Sequence, residues 1–284
     1  MEIKEFTVAV DCFCPEQIFE CGQCFRWNRD TDGGYTGVVG GKVLRVCETD
    51  AGIRFENTDS AEFDSVWRTY FDLDTDYGEI QRQLSDGAIM DEAIACGKGI
   101  RILRQDSWEA LLSFILSSNN NIVRIKGMIE RLCQSFGKPI EAFGKVFYTF
   151  PTAKELDGIE KADLACLSAG YRDKFLVDAV KKVNSGEIDL AKLQDADYIT
   201  ARTELMKISG VGPKVADCAA LFGLGKKEAF PVDVWMRRVL EKLYDRKYSP
   251  VQASDFARNT FGEHAGIAQQ YLFYYMRTRG RQEE

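Results

Sequence analysis

The chain has 284 residues, of which 45% are hydrophobic, 12% aromatic and 29% charged, with 24 glycines and 6 prolines. That length suits one large domain or two modest ones with a real core, and the composition excludes a disordered, collagen-like or coiled-coil chain. Apolar runs reach only a handful of residues, far short of the ~18 that span a bilayer, and Met1-Glu2-Ile3-Lys4-Glu5 shows no basic segment leading into an apolar one, so a cytoplasmic protein without a membrane partner is expected.

The formal net charge of −7 is unevenly placed: residues 1–98 hold 9 basic against 20 acidic side chains, and residues 99–284 hold 28 basic against 24 acidic. A polyanion should therefore be met by the second part. Nine cysteines in a chain without a readable leader are expected to be free thiols. Cys12-x-Cys14 and Cys21-x-x-Cys24 have the look of a metal site, yet no second pair follows and His264 is the only histidine, so no metal is expected there.

In chain order, the first elements are β-rich runs parted by turn dipeptides: Tyr35 to Val39, a Gly40-Gly41 turn, Lys42 to Cys47, an Asp50-Ala51-Gly52 turn, and Ile53 to Glu56. This predicts an antiparallel meander. Two helices follow, one entered by Asp59-Ser60 with Phe63, Val66, Trp67 and Tyr70 at helical spacing, the other from about Asp74 to Leu84. From about residue 99 the pattern predicts an all-α unit, with helices capped near Asp106-Ser107, running from about Ile122 to Phe136, and recurring after Pro151. The fold class expected is α+β, with a sheet domain over 1–98 and a helical domain over 99–284.

The most informative segment is Leu205-Met206-Lys207-Ile208-Ser209-Gly210-Val211-Gly212-Pro213-Lys214-Val215. A helix ends at a Gly-Val-Gly turn and Pro213 opens the next, so the amides around Gly210, Gly212 and Val215 can meet a DNA phosphate. An ordinary tight connection between helices is the alternative. Lys214 is electrostatically misplaced at the positive end of a helix dipole, which favours the neutral amine that a Schiff-base nucleophile needs. A solvated or phosphate-binding lysine would also account for it. Asp233 precedes a helical run as an N-cap would, and a carboxylate facing the lysine could stabilise a cationic sugar.

Ile208 to Lys214 followed by Pro231-Val232-Asp233-Val234 resembles the helix-hairpin-helix, Gly/Pro-Asp signature of the DNA glycosylase superfamily. Gly22-Gln23-Cys24-Phe25-Arg26-Trp27, Ser117-Ser118-Asn119-Asn120-Asn121-Ile122, Gly170-Tyr171-Arg172 and Ala265-Gly266-Ile267-Ala268-Gln269 extend the resemblance over nearly the whole chain, to the 8-oxoguanine DNA glycosylase/AP lyase family. The resemblance implies a TATA-binding-protein-like sheet domain beside the helical one, with duplex DNA holding a damaged base crossing their junction. It implies that Lys214 attacks the anomeric carbon, releases the base and holds the sugar as an imine that undergoes β-elimination, supported by Asp233. In the base pocket the Gly22 carbonyl would accept from the N7 proton that guanine lacks, Phe273 and Cys218 would stack on the base, and Gln269 would read its pairing edge. Asn119 would fill the vacated space, Tyr171 would act as a wedge, and Arg124 and Arg172 would lie near an estranged cytosine.

A structural cation on the carbonyls of Met206, Ile208 and Val211 is also implied, with no catalytic metal or cofactor, and a monomer, nucleoid-associated if bacterial. The chain departs from the pattern at Trp235, where eukaryotic members carry histidine, and at Cys24, where serine is usual. Two other readings are a glycosylase for alkylated purine, disfavoured by Lys214, and a non-catalytic DNA-gripping module, which would need neither Lys214 opposite Asp233 nor the pair Gln269 and Phe273.

Overall fold

Turn chemistry lays out the N-terminal sheet in a computed structural model that describes residues 4–245 and 247–280. Met1, Glu2 and Ile3, part of the N-terminal segment read for a leader, lie outside the described residues. Strand β1 (Glu5–Val8) is followed by helix α1 (Pro15–Glu20), then β2 (Trp27–Arg29), β3 (Tyr35–Val39), β4 (Lys42–Thr49) and β5 (Gly52–Glu56). All pairs are antiparallel in the order β1-β5-β4-β3-β2. Gly40 and Gly41 take φ of +54° and +79°, the paired left-handed dihedrals whose twist matches a two-residue hairpin, and Val39 pairs Lys42 across them.

Helices α2 (Ser60–Glu62) and α3 (Arg68–Tyr70) are joined by a π-helical turn over Phe63–Trp67, and Asp59 caps the run by accepting from the Glu62 amide at 3.0 Å. They cover one face of the sheet with Phe63, Trp67 and Phe71, packed on Phe19, Trp27, Tyr35 and Phe55. Phe19 stacks on Trp27 at 4.1 Å between ring centres.

The remaining helices are α4 (Tyr77–Leu84), α5 (Ala88–Cys96), α6 (Ser107–Ser117), α7 (Ile122–Phe136), α8 (Asp173–Asn184), α9 (Leu190–Asp195), α10 (Tyr198–Leu205), α11 (Pro213–Gly223), α12 (Val234–Tyr244), α13 (Pro250–Phe261) and α14 (Ala265–Gly280). The expectation of an all-α second part needs correction, because β6 (Pro139–Ala142) and β7 (Lys145–Tyr148) form a separate antiparallel hairpin. Phe143 and Gly144, both left-handed, make its two-residue turn. Helices α4 and α5 precede residue 99 in the chain, yet Tyr77, Ile80, Met90 and Ala93 belong to the helical core.

Two devices bind the sheet side to the helices. The Asp72 carboxylate, 3% exposed, accepts from Arg104 Nη2 at 2.8 Å, Lys227 Nζ at 3.0 Å and Tyr77 Oη at 3.1 Å. Burial works against its charge, but Lys227 and Arg104 outweigh it and hold the carboxyl below its ordinary value. Fully buried Gln23 donates to the carbonyls of Ile18 and Arg101 at 3.0 and 2.8 Å and accepts from the Leu103 amide at 2.9 Å. Within the helical part α6 and α11 lie against each other, with Phe114 stacked on Phe222 at 5.3 Å. That pairing brings the end of α6 to the start of α11.

Candidate active site

Pro213 supplies the fixed φ of a first helical residue, so α11 begins there and Lys214 stands in its first turn. The amine lies 5.3 Å from the centre of the Phe114 ring and 3.4 Å from Ser117 Oγ, both on α6. Asp233 caps α12 and accepts from the Met236 amide at 2.7 Å, as its N-cap reading anticipates.

Lys214 and Asp233 line one cavity of about 50 Å³ together with Gly22, Cys218, Gln269 and Phe273. Those six expected residues come from four separate stretches of chain, so only the fold assembles them. Cys21, Phe114, Phe222, Pro231 and Gln270 complete the lining. The Gly22 turn has φ of +86° and is fixed by the Gln23 hydrogen bonds, and a Cβ at Gly22 would sit 3.7 Å from the Phe273 ring. Burial pushes the Cys218 thiol up to about 11 while the Lys214 charge pulls it back, so the thiol presents a neutral, polarizable face. A larger open groove of about 1110 Å³ runs along residues 8–12 and α4, where acids and arginines alternate. None of the residues expected for catalysis or base binding lines it, so the small cavity is the candidate.

The loop after α6 borders this site through Ser117. Asn119 is left-handed at φ +47°, Asn120 donates to the Leu116 carbonyl at 3.2 Å, and Asn121 caps α7 by accepting from the Arg124 amide at 3.0 Å. Tyr171 is 51% exposed and Arg124 is also exposed. Arg172 is only 6% exposed, and it donates to the carbonyls of Ser118, Asn119 and Ala169. Its guanidinium therefore braces the Asn119 loop from behind.

In the hairpin Gly210 has φ of +80°, and a Cβ there would fall 2.3 Å from the Phe175 ring, which itself meets Tyr171 edge-on at 5.8 Å. Gly212 is different: its dihedrals are extended and a Cβ would meet nothing within 4 Å. Only Gly210 needs a left-handed dihedral; at Gly212 what matters is the open space. No side chain caps α11, which leaves the Lys214 and Val215 amides of its first turn for an outside acceptor. Of the three carbonyls expected to hold a cation, that of Ile208 also accepts from the Val211 amide at 3.0 Å, and Met206 and Val211 lie in the same loop. Trp235 is 57% exposed beside Asp233, with the Arg238 guanidinium 5.4 Å from its ring centre. Among the described residues no three histidine, cysteine, aspartate or glutamate side chains cluster as a metal site, and no helix is long and apolar enough to cross a membrane.

Sequence reasoning missed Phe114, Phe222, Ser117 and Gln270. Ser117 stands in a quoted motif and Gln270 beside Gln269, but neither position says which side chain reaches the cavity.

Comparison with known proteins bears on this geometry. Residues 5–111 match the family model of the 8-oxoguanine DNA glycosylase N-terminal domain, and residues 112–256 match that of the HhH-GPD superfamily base excision DNA repair protein. The N-glycosylase/DNA lyase of Saccharomyces cerevisiae is 35% identical over 81% of this chain and 68% of its own. The probable N-glycosylase/DNA lyase of Methanothermobacter thermautotrophicus is 32% identical over 74% of this chain and 73% of its own. The crystal structure of Clostridium acetobutylicum 8-oxoguanine glycosylase/lyase, with double-stranded DNA containing cytosine opposite 8-oxoguanine, superposes with a TM-score of 0.93, 41% identity and 99% coverage of both chains.

Proposed function

We propose, from the premise that this chain belongs to the 8-oxoguanine DNA glycosylase/AP lyase family, that Lys214 is its nucleophile and 8-oxoguanine opposite cytosine its substrate. The chain is a base-excision repair enzyme with DNA N-glycosylase and AP lyase activity. The observation that carries the finer reading is the meeting of Lys214 and Asp233 in one cavity with Gly22, Cys218, Gln269 and Phe273.

In this reading duplex DNA lies with a backbone phosphate on the amides of the hairpin, around Gly210, Gly212 and Val215, and the damaged nucleotide turns out into the cavity. Lys214 Nζ attacks the anomeric carbon, and the bond to the base breaks with its electron pair leaving on the base. Asp233 stabilises the cationic sugar in between and takes up the ammonium proton. The sugar ring opens to an imine on Lys214, loss of the C2′ proton expels the 3′ phosphate, and hydrolysis of the imine frees the lysine. The Gly22 carbonyl accepts from the N7 proton of 8-oxoguanine, while guanine presents a bare N7 that leaves this acceptor without a donor. Asn119 fills the space left in the duplex, Tyr171 wedges the strand, and exposed Arg124 faces the estranged cytosine. Arg172 acts through the Asn119 loop that it holds.

The test is borohydride reduction during turnover of a duplex with one 8-oxoguanine opposite cytosine. A covalent protein–DNA band is expected with the wild type and absent with Lys214→Gln, which should still bind the duplex. Equal turnover by both proteins would remove Lys214 as nucleophile, and base release without any band would replace the imine route by direct hydrolysis.

A further inference from the structure

Gln269 and Gln270 stand side by side on α14, 5% and 3% exposed, and both line the cavity that holds Lys214. Gln270 Nε2 donates to Gln269 Oε1 at 2.6 Å. The other end of the same amide, Gln270 Oε1, is enclosed and has no hydrogen-bond partner. A buried amide oxygen without a donor keeps the full cost of its lost hydration, and a bound group with an N–H of the right placement would remove it.

We propose that Gln270 is a further specificity-determining residue of the base pocket, whose Oε1 accepts a hydrogen bond from the exocyclic amine of the extruded base. The assignment rests on the substrate reading above and deepens it. Along its pairing edge a guanine-type base presents a keto oxygen, a ring N–H and an amine, in that order. Joined by that bond, the two amides have the complementary set still to offer: Gln269 Nε2 as donor, and the second lone pair of Gln269 Oε1 and Gln270 Oε1 as acceptors. Acceptor meets donor at all three places. Turning the Gln269 amide over by itself would set two NH2 groups against each other and break the bridge. An adenine-type edge, with an amine in place of the keto oxygen and a bare ring nitrogen, would oppose donor to donor and fail at the first position.

Single-turnover base release tests the assignment, using otherwise identical duplexes that hold 8-oxoguanine or 8-oxohypoxanthine, which differs only in lacking the amine. The wild type should release 8-oxohypoxanthine about tenfold more slowly or worse. Gln270→Met, which keeps the volume and discards the acceptor, should slow about tenfold on 8-oxoguanine and treat the two bases alike within about a factor of two. Gln270→Ala should do the same, and melting temperatures near that of the wild type separate this loss from misfolding. An identical preference in wild type and both variants, or no preference in the wild type, overturns the role of Gln270 and leaves the substrate reading standing. Release of neither base by the wild type overturns the substrate reading, and the assignment with it.

Discussion

Glu109, in the first turn of α6, has its carboxyl pushed up to about 7 by burial, with the Arg26 charge pulling the other way. Unfolded, it titrates near 4.5. Between those values the folded chain holds a proton that the unfolded chain releases, so this residue makes stability fall as pH rises from about 4.5 through about 7. Glu109→Gln should therefore be more stable than the wild type by about 3 kcal/mol at pH 8 and nearly equal to it near pH 4.5. Urea unfolding at the two pH values checks this, and a constant difference between them would refute it. Lys214 is legible in the sequence for a related reason, since a positive charge at the positive end of a helix asks for an explanation. Gln270 and Ser117 are not legible, because helical spacing does not say which of two adjacent amides reaches a cavity or which hydroxyl ends opposite an amine from a distant helix. Arg172 can be read as lying beside an estranged cytosine until the carbonyls of Ser118 and Asn119 are seen around it.

At the scale of elements, the two glycines of the hairpin separate into different jobs. Gly210→Ala would place a methyl group 2.3 Å from the Phe175 ring at a φ that L residues avoid, and it should cost about 2–4 kcal/mol of stability. Gly212→Ala fits the extended backbone and should melt with the wild type, yet its methyl occupies the approach left to a phosphate, so duplex binding should weaken about tenfold or more. Thermal melting beside fluorescence anisotropy distinguishes the two, and equal melting by both variants would contradict the packing argument. The strands from Tyr35 to Glu56 were readable because turn dipeptides bracket them. By contrast β1, α1, β2, β6 and β7 are each three to six residues long, too few for a period to show, and α5 is apolar on several sides. The helix over Ile122–Phe136 was readable end to end, since Asn121 opens it and Gly137 closes it.

For the molecule as a whole, the sheet side and the helical side meet through a buried charge. Asp72→Asn would leave Lys227 and Arg104 without their common carboxylate, and a loss of about 3 kcal/mol is expected. Trp27 and Trp67 report on the sheet core and Trp108 on the helical core, so tryptophan fluorescence and far-UV circular dichroism should lose stability together. A transition that splits only in the mutant would show that Asp72 joins two units that otherwise unfold apart. The overall α+β class was legible from the change of hydrophobic period along the chain, but the membership of α4 and α5 in the helical core was not. Chain order carries no mark of which neighbour a helix will choose once its apolar face has two surfaces within reach.

The small volume of the cavity has a thermodynamic consequence. About 50 Å³ admits a few water molecules and no whole base, so a base can be held only where the cavity widens. Apparent affinity for an extruded base is then its intrinsic affinity multiplied by the fraction of molecules already open. Each tenfold rarity of the open form weakens binding by about 1.4 kcal/mol, equally for every base that needs the same opening. The narrow cavity thus sets a common threshold, and only a base that completes the hydrogen bonds inside recovers enough free energy to keep the wider form populated.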